Sequence, residues 1–236
     1  MSRYFCHQHP DVLVVETRVV EARPGAVLLA ESPFHPGGGG QLADRGLLRW
    51  SGGELRLTGI EASDGRYWHR FEESVEISGT VQAAVDAEFR SMMAQLHTDT
   101  HVLNALVFQR FQGALVTGAQ LNDDGTARMD FDLPEVPPGF KEQVAEAVNA
   151  EIAADRAIQV RTLPRAEAFQ IPDIIRTATN LLPESVAEVR LVDITGLDVQ
   201  ADGGTHVAST AMIGRMEVVK MENKGRGFRR LRVRVI

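Results

Sequence analysis

Two histidines four residues apart, His97 and His101, are the side chains of this sequence best placed to share a metal ion. On a helix, residues at this spacing lie on one face and can bind the same ion. A third imidazole, His206, follows in the segment Asp202-Gly-Gly-Thr-His206, whose two glycines, Gly203 and Gly204, let the backbone bend sharply. Asp202 either completes a set of three histidines and one carboxylate, or lies beside a water that takes the fourth position.

Three or four protein ligands with room for a water are typical of a catalytic zinc site. Zinc lowers the pKa of a bound water to about 7 and polarises a carbonyl group. A pair of surface histidines without a metal is the alternative interpretation of His97 and His101 alone. The third histidine and the glycines before it favour the metal site, which we expect to hold one Zn²⁺ ion.

The run Gly37-Gly38-Gly39-Gly40-Gln41 is the second candidate for chemistry. It is either the tip of a hairpin or a loop whose backbone amides contact a carboxylate, a carbonyl or a phosphate. It has no following Lys-Ser/Thr, as a Walker loop has, and it does not match the dinucleotide-binding fingerprint. A third cluster, Cys6, His7 and His9, lies at the chain end, where the backbone is usually frayed, so a metal role there is disfavoured.

The helix that carries the two histidines is predicted to begin at Asp86, a favourable N-cap, and to run to about Phe111. Apolar residues recur along it at helical spacing and place the histidine pair at the edge of the buried face. These apolar residues are Phe89, Met93, Leu96, Leu103 and Val107. Asp99, between the histidines, is expected to point away from them.

The segments on either side predict an α+β fold. Residues 11 to about 85 contain short apolar or alternating runs separated by turn signals, which is typical of a small β-barrel. After the helix we expect a hairpin over residues 113–133, a helix from Phe140, a short helix over Arg165–Phe169, a buried strand over Val189–Ile194 and two closing strands over 217–222 and 229–236.

Composition restricts the class of protein. The 236 residues carry a formal charge of -7, which argues against broad nucleic-acid binding but not against a local basic surface. The basic residues between Lys224 and Arg234 are either a solvated edge strand or a contact for an RNA backbone. The sequence has no apolar run long enough for a membrane helix and no signal-peptide core, and a single cysteine cannot form an internal disulfide, so we expect a cytoplasmic protein.

Three segments resemble the editing domain of alanyl-tRNA synthetase and its free-standing relatives, the AlaX proteins. His97-Thr-Asp-Thr-His101-Val-Leu is similar to the HxxxH signature of that family, Asp202-Gly-Gly-Thr-His206 to its Cys-Gly-Gly-Thr-His segment, and residues 34–46 to its glycine-rich motif. The three occur in the family's order and the likeness covers nearly the whole chain. The length and the glycine-rich motif resemble the medium-sized type.

The resemblance implies a small N-terminal β-barrel-like domain over residues 1–85 and an α+β editing domain over residues 86–236. It implies zinc ligation by His97, His101 and His206. The family's fourth ligand is a cysteine and this chain has Asp202, whose carboxylate also binds zinc but is a harder and less zinc-selective ligand.

The implied activity is hydrolysis, in trans and at the zinc site, of tRNA(Ala) misacylated with serine or glycine. We expect the acceptor end of that tRNA as partner, no membrane, and a monomer. The residues expected to bind substrate are Gly38, Gly39, Gly40, Gln41, Thr98, Thr117, Gln120, Gly203, Gly204 and Thr205, with Thr100 a further candidate partner for a serine hydroxyl. Those expected to contact nucleic acid are Arg226, Arg229 and Arg230. The alternatives are a metal-stabilised tRNA-binding module without catalysis, or a metallohydrolase of another small ester.

Overall fold

The computed structural model describes residues 4–111, 113–225 and 227–236. They form two compact units. Among the described residues, the N-terminal unit contains 4–38 and Leu42–Met92, and the C-terminal unit contains Gly39–Gln41 and the residues from Met93 to Ile236. The expected division into residues 1–85 and 86–236 stays a prediction.

The N-terminal unit is built on one open antiparallel sheet of seven strands. Its strands are β1 (Val14–Arg23), β2 (Ala26–Leu29), β3 (Gly46–Trp50), β4 (Gly53–Arg56), β5 (Gly59–Ser63), β6 (Arg66–Arg70) and β7 (Thr80–Val85), and a short helix α1 (Phe5–Gln8) precedes them. The strand order is β4-β3-β7-β1-β2-β6-β5. The predicted β structure is therefore confirmed, as a curled half-barrel rather than a closed barrel.

The core of this sheet follows from the alternation of side chains along its strands. In β7, Val81, Ala83 and Val85 are buried while the residues between them are exposed or half-buried. They pack with Leu48 of β3 and other apolar side chains in one cluster. The same unit contains a buried ion pair, in which the guanidinium of Arg90 contacts the carboxylate of Asp44 and also donates to the carbonyl of Pro33.

The long helix α2 (Ala87–Arg110) confirms the prediction made from its N-cap and apolar stripe. Asp86 Oδ1 accepts the Phe89 backbone N–H at 3.1 Å and so caps the first turn. The helix is more deeply buried than the stripe alone predicts, since Thr98 and Asp99 both have 0% exposure. Most polar side chains in such a helix need hydrogen-bond partners inside the protein, because water does not reach them.

Two further antiparallel sheets complete the α+β fold. The four-stranded sheet has the order β13-β14-β9-β8 and the three-stranded sheet has the order β10-β11-β12. The strands are β8 (Val116–Leu121), β9 (Thr126–Asp132), β10 (Ile158–Pro164), β11 (Glu188–Ile194), β12 (Asp198–Ala201), β13 (Met216–Asn223) and β14 (Phe228–Val235). The helices are α3 (Phe140–Ala153), α4 (Arg165–Ala168) and a short 3₁₀ helix over Thr210–Met212.

The hairpin of β8 and β9, the buried strand β11 and the closing pair β13 and β14 are confirmed, whereas β10 and β12 were not predicted. Within the described part of the chain, no helix combines the length and the apolar character needed to cross a membrane.

Candidate metal centre

Four side chains with metal-binding atoms come together in the C-terminal unit: His97, His101, Asp202 and His206. Their candidate ligand atoms all lie within 4.8 Å of one another. The Asp202 carboxylate lies 3.5 Å from His97 Nε2, 3.8 Å from His101 Nε2 and 3.0 Å from His206 Nε2. This group could hold one metal ion.

Helix α2 supplies two of these residues and the segment after β12 supplies the other two. Because His97 and His101 are one turn apart, their ring centroids lie 5.1 Å from each other. The ring of His206 lies 4.7 Å from that of His97 and 4.8 Å from that of His101. The three rings thus surround one position, and the spacing inferred from the sequence is reproduced.

Gln41 determines which ring nitrogen of His97 faces the cluster. The Gln41 side chain donates from Nε2 to Thr205 Oγ1 at 2.9 Å, while its Oε1 accepts the Thr205 backbone N–H at 2.9 Å. The same Oε1 lies 2.8 Å from His97 Nδ1. Since this oxygen can only accept, His97 Nδ1 must carry the hydrogen, and in the neutral imidazole the lone pair of Nε2 then faces the other ligand atoms.

Thr98 has the same effect on His206. Its hydroxyl donates to the Ala94 carbonyl at 2.7 Å, as helical threonines commonly do. Its oxygen must then accept from His206 Nδ1, which lies 3.1 Å away. The His206 Nε2 is left to face Asp202. Burial lowers the pKa of His206 to about 4, so this imidazole is neutral near pH 7.

The hydrogen-bond pattern around His206 and Asp202 indicates whether a cation fits between their side chains. The unprotonated Nε2 of a neutral His206 would point a lone pair at Asp202 Oδ2 from 3.0 Å, which is unfavourable unless a positive charge lies between them. Burial acts to raise the pKa of Asp202, but positive charge and N–H donation from the surrounding imidazoles outweigh burial and lower that pKa well below its usual value. A metal ion would supply this positive charge in place of the imidazole protons. Three imidazole nitrogens and one ionised carboxylate therefore fit a divalent metal such as zinc.

Asp202 is held from two further directions. Its Oδ2 accepts the Gly204 backbone N–H at 2.5 Å, and its backbone carbonyl accepts Arg190 Nη1 at 3.1 Å. Arg190 lies on β11 and was not singled out from the sequence. These contacts direct the Asp202 carboxylate towards the imidazoles.

Glycines allow the close approaches around the cluster. A Cβ atom on Gly204 would overlap the His97 ring and would lie 2.8 Å from Gln41 Oε1. Gly40 has a φ of +93°, and a Cβ there would lie 2.9 Å from the Ala119 carbonyl oxygen. The Gly40 carbonyl accepts the Leu121 backbone N–H at 2.8 Å, which ties the segment carrying Gln41 to β8.

The remaining residues expected to bind substrate lie in different environments. Gly39 belongs to the same unit as the cluster, and a Cβ there would lie 3.9 Å from Asp202 Oδ1, whereas the exposed Gly38 belongs to the N-terminal unit. Thr117 and Gln120 are exposed on β8. Gly203 lies between Asp202 and Gly204 in the segment after β12, and a substrate contact for any of these residues stays a prediction.

Two of the three arginines expected to contact nucleic acid, Arg229 and Arg230, have hydrogen-bond partners within the chain. Arg230 forms a bidentate ion pair with Asp130, with two N–O distances of 2.6 Å. Arg229 donates to the carbonyls of Phe228 and Pro134. Arg226 lies outside the described residues. Contact with RNA at this strand stays a prediction.

Asp99 is a buried acid close to the cluster in sequence but directed elsewhere, as the helical geometry predicts. Both of its carboxylate oxygens are buried without a hydrogen-bond partner in the described part of the chain. Burial raises the pKa of Asp99 to about 8, so this carboxyl is largely neutral at pH 7.

Comparison with known proteins supports the family resemblance inferred from the three sequence segments. Residues 189–232 match the family described as the threonyl and alanyl tRNA synthetase second additional domain. The alanyl-tRNA editing protein AlaX-M of Saccharolobus solfataricus is 36% identical over 92% of this chain and 91% of its own length. AlaX-M of Methanosarcina mazei is 29% identical over 87% of this chain and 84% of its own length.

A larger enzyme contains a similar region. The alanine–tRNA ligase of a Synechococcus species is 32% identical over 87% of this chain, which corresponds to 23% of the ligase. The likeness to AlaX-M instead spans nearly the full length of both proteins. The chain belongs to the family of alanyl-tRNA editing proteins of the AlaX-M type.

Proposed function

We propose that this protein is a zinc-dependent hydrolase that acts in trans on tRNA(Ala) carrying serine or glycine in place of alanine. The observation that carries the proposal is the convergence of three imidazoles and one carboxylate, with His97 and His206 oriented by Gln41 and Thr98. The relatives named as alanyl-tRNA editing proteins and the similar region of alanine–tRNA ligase support the substrate class.

The residues that would hold the ion are His97, His101, Asp202 and His206. When bound, zinc would polarise the ester carbonyl and acidify water at this position. Gln41 and Thr98 keep the imidazole hydrogens on Nδ1, so that each Nε2 remains available. The ionised Asp202 supplies the one negative charge of the ligand set.

Thr205 is the threonine best suited to bind the hydroxyl of a misplaced serine. Thr98 and Thr100 already donate their hydroxyl hydrogens to the helix carbonyls of Ala94 and His97. Thr205 Oγ1 instead accepts from Gln41, so its own hydrogen is available to a further acceptor. Alanine offers no such acceptor, and a buried hydroxyl left unpaired costs about 1–3 kcal/mol, which would favour serine over alanine.

The direct test measures deacylation of Ser-tRNA(Ala) and Ala-tRNA(Ala) by the wild-type protein and by His101→Ala, with metal content determined for both. We expect fast release of serine, slow release of alanine, and loss of both metal and activity in the variant. His9→Ala, at an exposed histidine outside the cluster, is the matched control and should behave like the wild type.

Two outcomes would contradict the proposal. Zinc bound by a wild-type protein that releases neither amino acid would favour a tRNA-binding module. Hydrolysis of small esters with no deacylation of either tRNA would favour a different metallohydrolase.

A further inference from the structure

A series of polar contacts runs along helix α2 and joins it to the segment that leads to Asp202. At its exposed end, Gln109 Nε2 donates to the Leu197 carbonyl at 2.8 Å. Five residues earlier on the helix, and closer to the metal centre, Asn104 Nδ2 donates to Gln200 Oε1 at 3.0 Å. Asn104 follows His101 by three residues, and Gln200 precedes Asp202 by two. Of these two contacts, the one between Asn104 and Gln200 therefore lies closer in sequence to the proposed metal ligands on both segments.

The orientation of the Gln200 amide is fixed by its other partners. Its Nε2 donates to Asp198 Oδ2 at 2.6 Å and lies 3.5 Å from the His101 carbonyl oxygen. Both of those oxygens accept hydrogen bonds, so the NH₂ group must face them and Oε1 must face Asn104. A flipped Gln200 would place its oxygen against the Asp198 carboxylate.

Asp198 is in turn fixed by Arg176. Arg176 Nη2 donates to Asp198 Oδ1 at 2.5 Å, and the side chains of this ion pair are only 9% and 5% exposed. The same guanidinium lies over the Phe108 ring of α2, with its central carbon 3.9 Å from the ring centroid. Arg176 therefore contacts both β12 and α2. The Asp198 carboxylate, held by Arg176, accepts a hydrogen bond from Gln200 Nε2 and so fixes which side of the Gln200 amide faces Asn104.

From these contacts we infer that Asn104 and Gln200 are positioning residues that set the register between the helical ligands and Asp202. The inference rests on the metal centre proposed above. The neutral amide pair transmits no charge to the ion, and its effect is geometric. Without the Asn104 donor, Gln200 Oε1 has lost its partner in a buried site, and β12 moves to find another one.

The test compares Asn104→Leu and Asn104→Ala with the wild type, using Co²⁺ as a spectroscopic probe. Both substitutions remove the donor, but leucine fills the space and alanine leaves it empty. Three quantities are measured: the thermal midpoint of the metal-free protein, the Co²⁺ dissociation constant, and the ligand-field spectrum at Co²⁺ saturation. Gln109→Ala is the matched control, because it removes an amide hydrogen bond from the same helix at the exposed end of the series.

We expect Asn104→Leu and Asn104→Ala to bind Co²⁺ about 10–100-fold more weakly than the wild type, and their ligand-field spectra to differ from the wild-type spectrum in the same way as each other. Gln109→Ala should keep the wild-type affinity and spectrum. If only one Asn104 variant folds, that variant still decides the question. Wild-type affinity and spectrum in a folded Asn104 variant would overturn the inference and leave the metal centre intact. Failure of the wild-type protein itself to bind Co²⁺ would overturn both.

Discussion

Replacing Gly204 with alanine introduces a single methyl group against the ring of His97, one of the proposed metal ligands. A Cβ at this position would overlap His97 at Cε1 and Nδ1 and would lie 2.8 Å from Gln41 Oε1. Ordinary carbon contacts lie at about 3.5–4 Å, so the His97 ring or the loop must move by roughly 1 Å or more. The His97 ring and the Gln41 side chain cannot move aside easily, because the ring is buried and hydrogen-bonded to Gln41.

The expected loss of zinc affinity follows from how little metal–ligand distances can vary. Ligand distances in a working site are held to about 0.2 Å, so a ring displaced by roughly 1 Å no longer binds the ion. The same displacement breaks the hydrogen bond between His97 Nδ1 and Gln41 that fixes the tautomer. Loss of an outer hydrogen bond alone typically costs 10–100-fold in metal affinity, so we expect Gly204→Ala to weaken zinc binding by at least about 100-fold.

The assay is competition for Zn²⁺ against a chromophoric chelator, followed by deacylation of Ser-tRNA(Ala) at saturating zinc. Gly59→Ala is the matched control, since a Cβ on Gly59 meets nothing within 4 Å. That variant should bind zinc and deacylate like the wild type. Zinc affinity within about threefold of the wild type in a folded Gly204→Ala protein would refute the close-approach argument.

Three further outcomes are expected. Gln41→Met should bind zinc about 10–100-fold more weakly, because His97 and Thr205 lose the side chain that orients them; unchanged affinity by chelator competition would contradict this role. Asp99→Ala should raise the free energy of unfolding by about 1–3 kcal/mol in urea titrations, because it removes two buried oxygens without partners in the described part of the chain; a loss of stability would show that Asp99 has a favourable role. Burial lowers the pKa of His69 from 6.5 to about 4 in the folded protein. Between these pH values the unfolded chain binds a proton at His69 that the folded protein does not, so the free energy of unfolding should fall by about 3 kcal/mol as the pH decreases from 6.5 to 4. Urea titrations across this range should show that His69→Gln lacks this part of the pH dependence, and an identical slope in the variant would contradict the assignment.

The features that depend on local sequence were predictable. The N-cap at Asp86, the apolar stripe of α2 and the four-residue spacing of His97 and His101 are properties of one helix, which its own periodicity dictates. The closing strands were predictable because their side chains alternate. Strand β10 was not, because most of its residues are exposed and it is defined by its pairing with β11.

The arrangement of the metal centre depends on tertiary structure. The sequence contained the four candidate ligands but could not show that Gln41 would bond to His97, or Thr98 to His206, since these partners are 56 and 108 residues apart. It likewise gave no signal that Asn104 and Gln200 would meet, because a buried amide looks like any polar residue until its partner is known. Residue types thus determined which atoms could bind a metal, whereas the packing of distant segments decided which lone pairs face one another, because hydrogen-bond partners are set by distance in space.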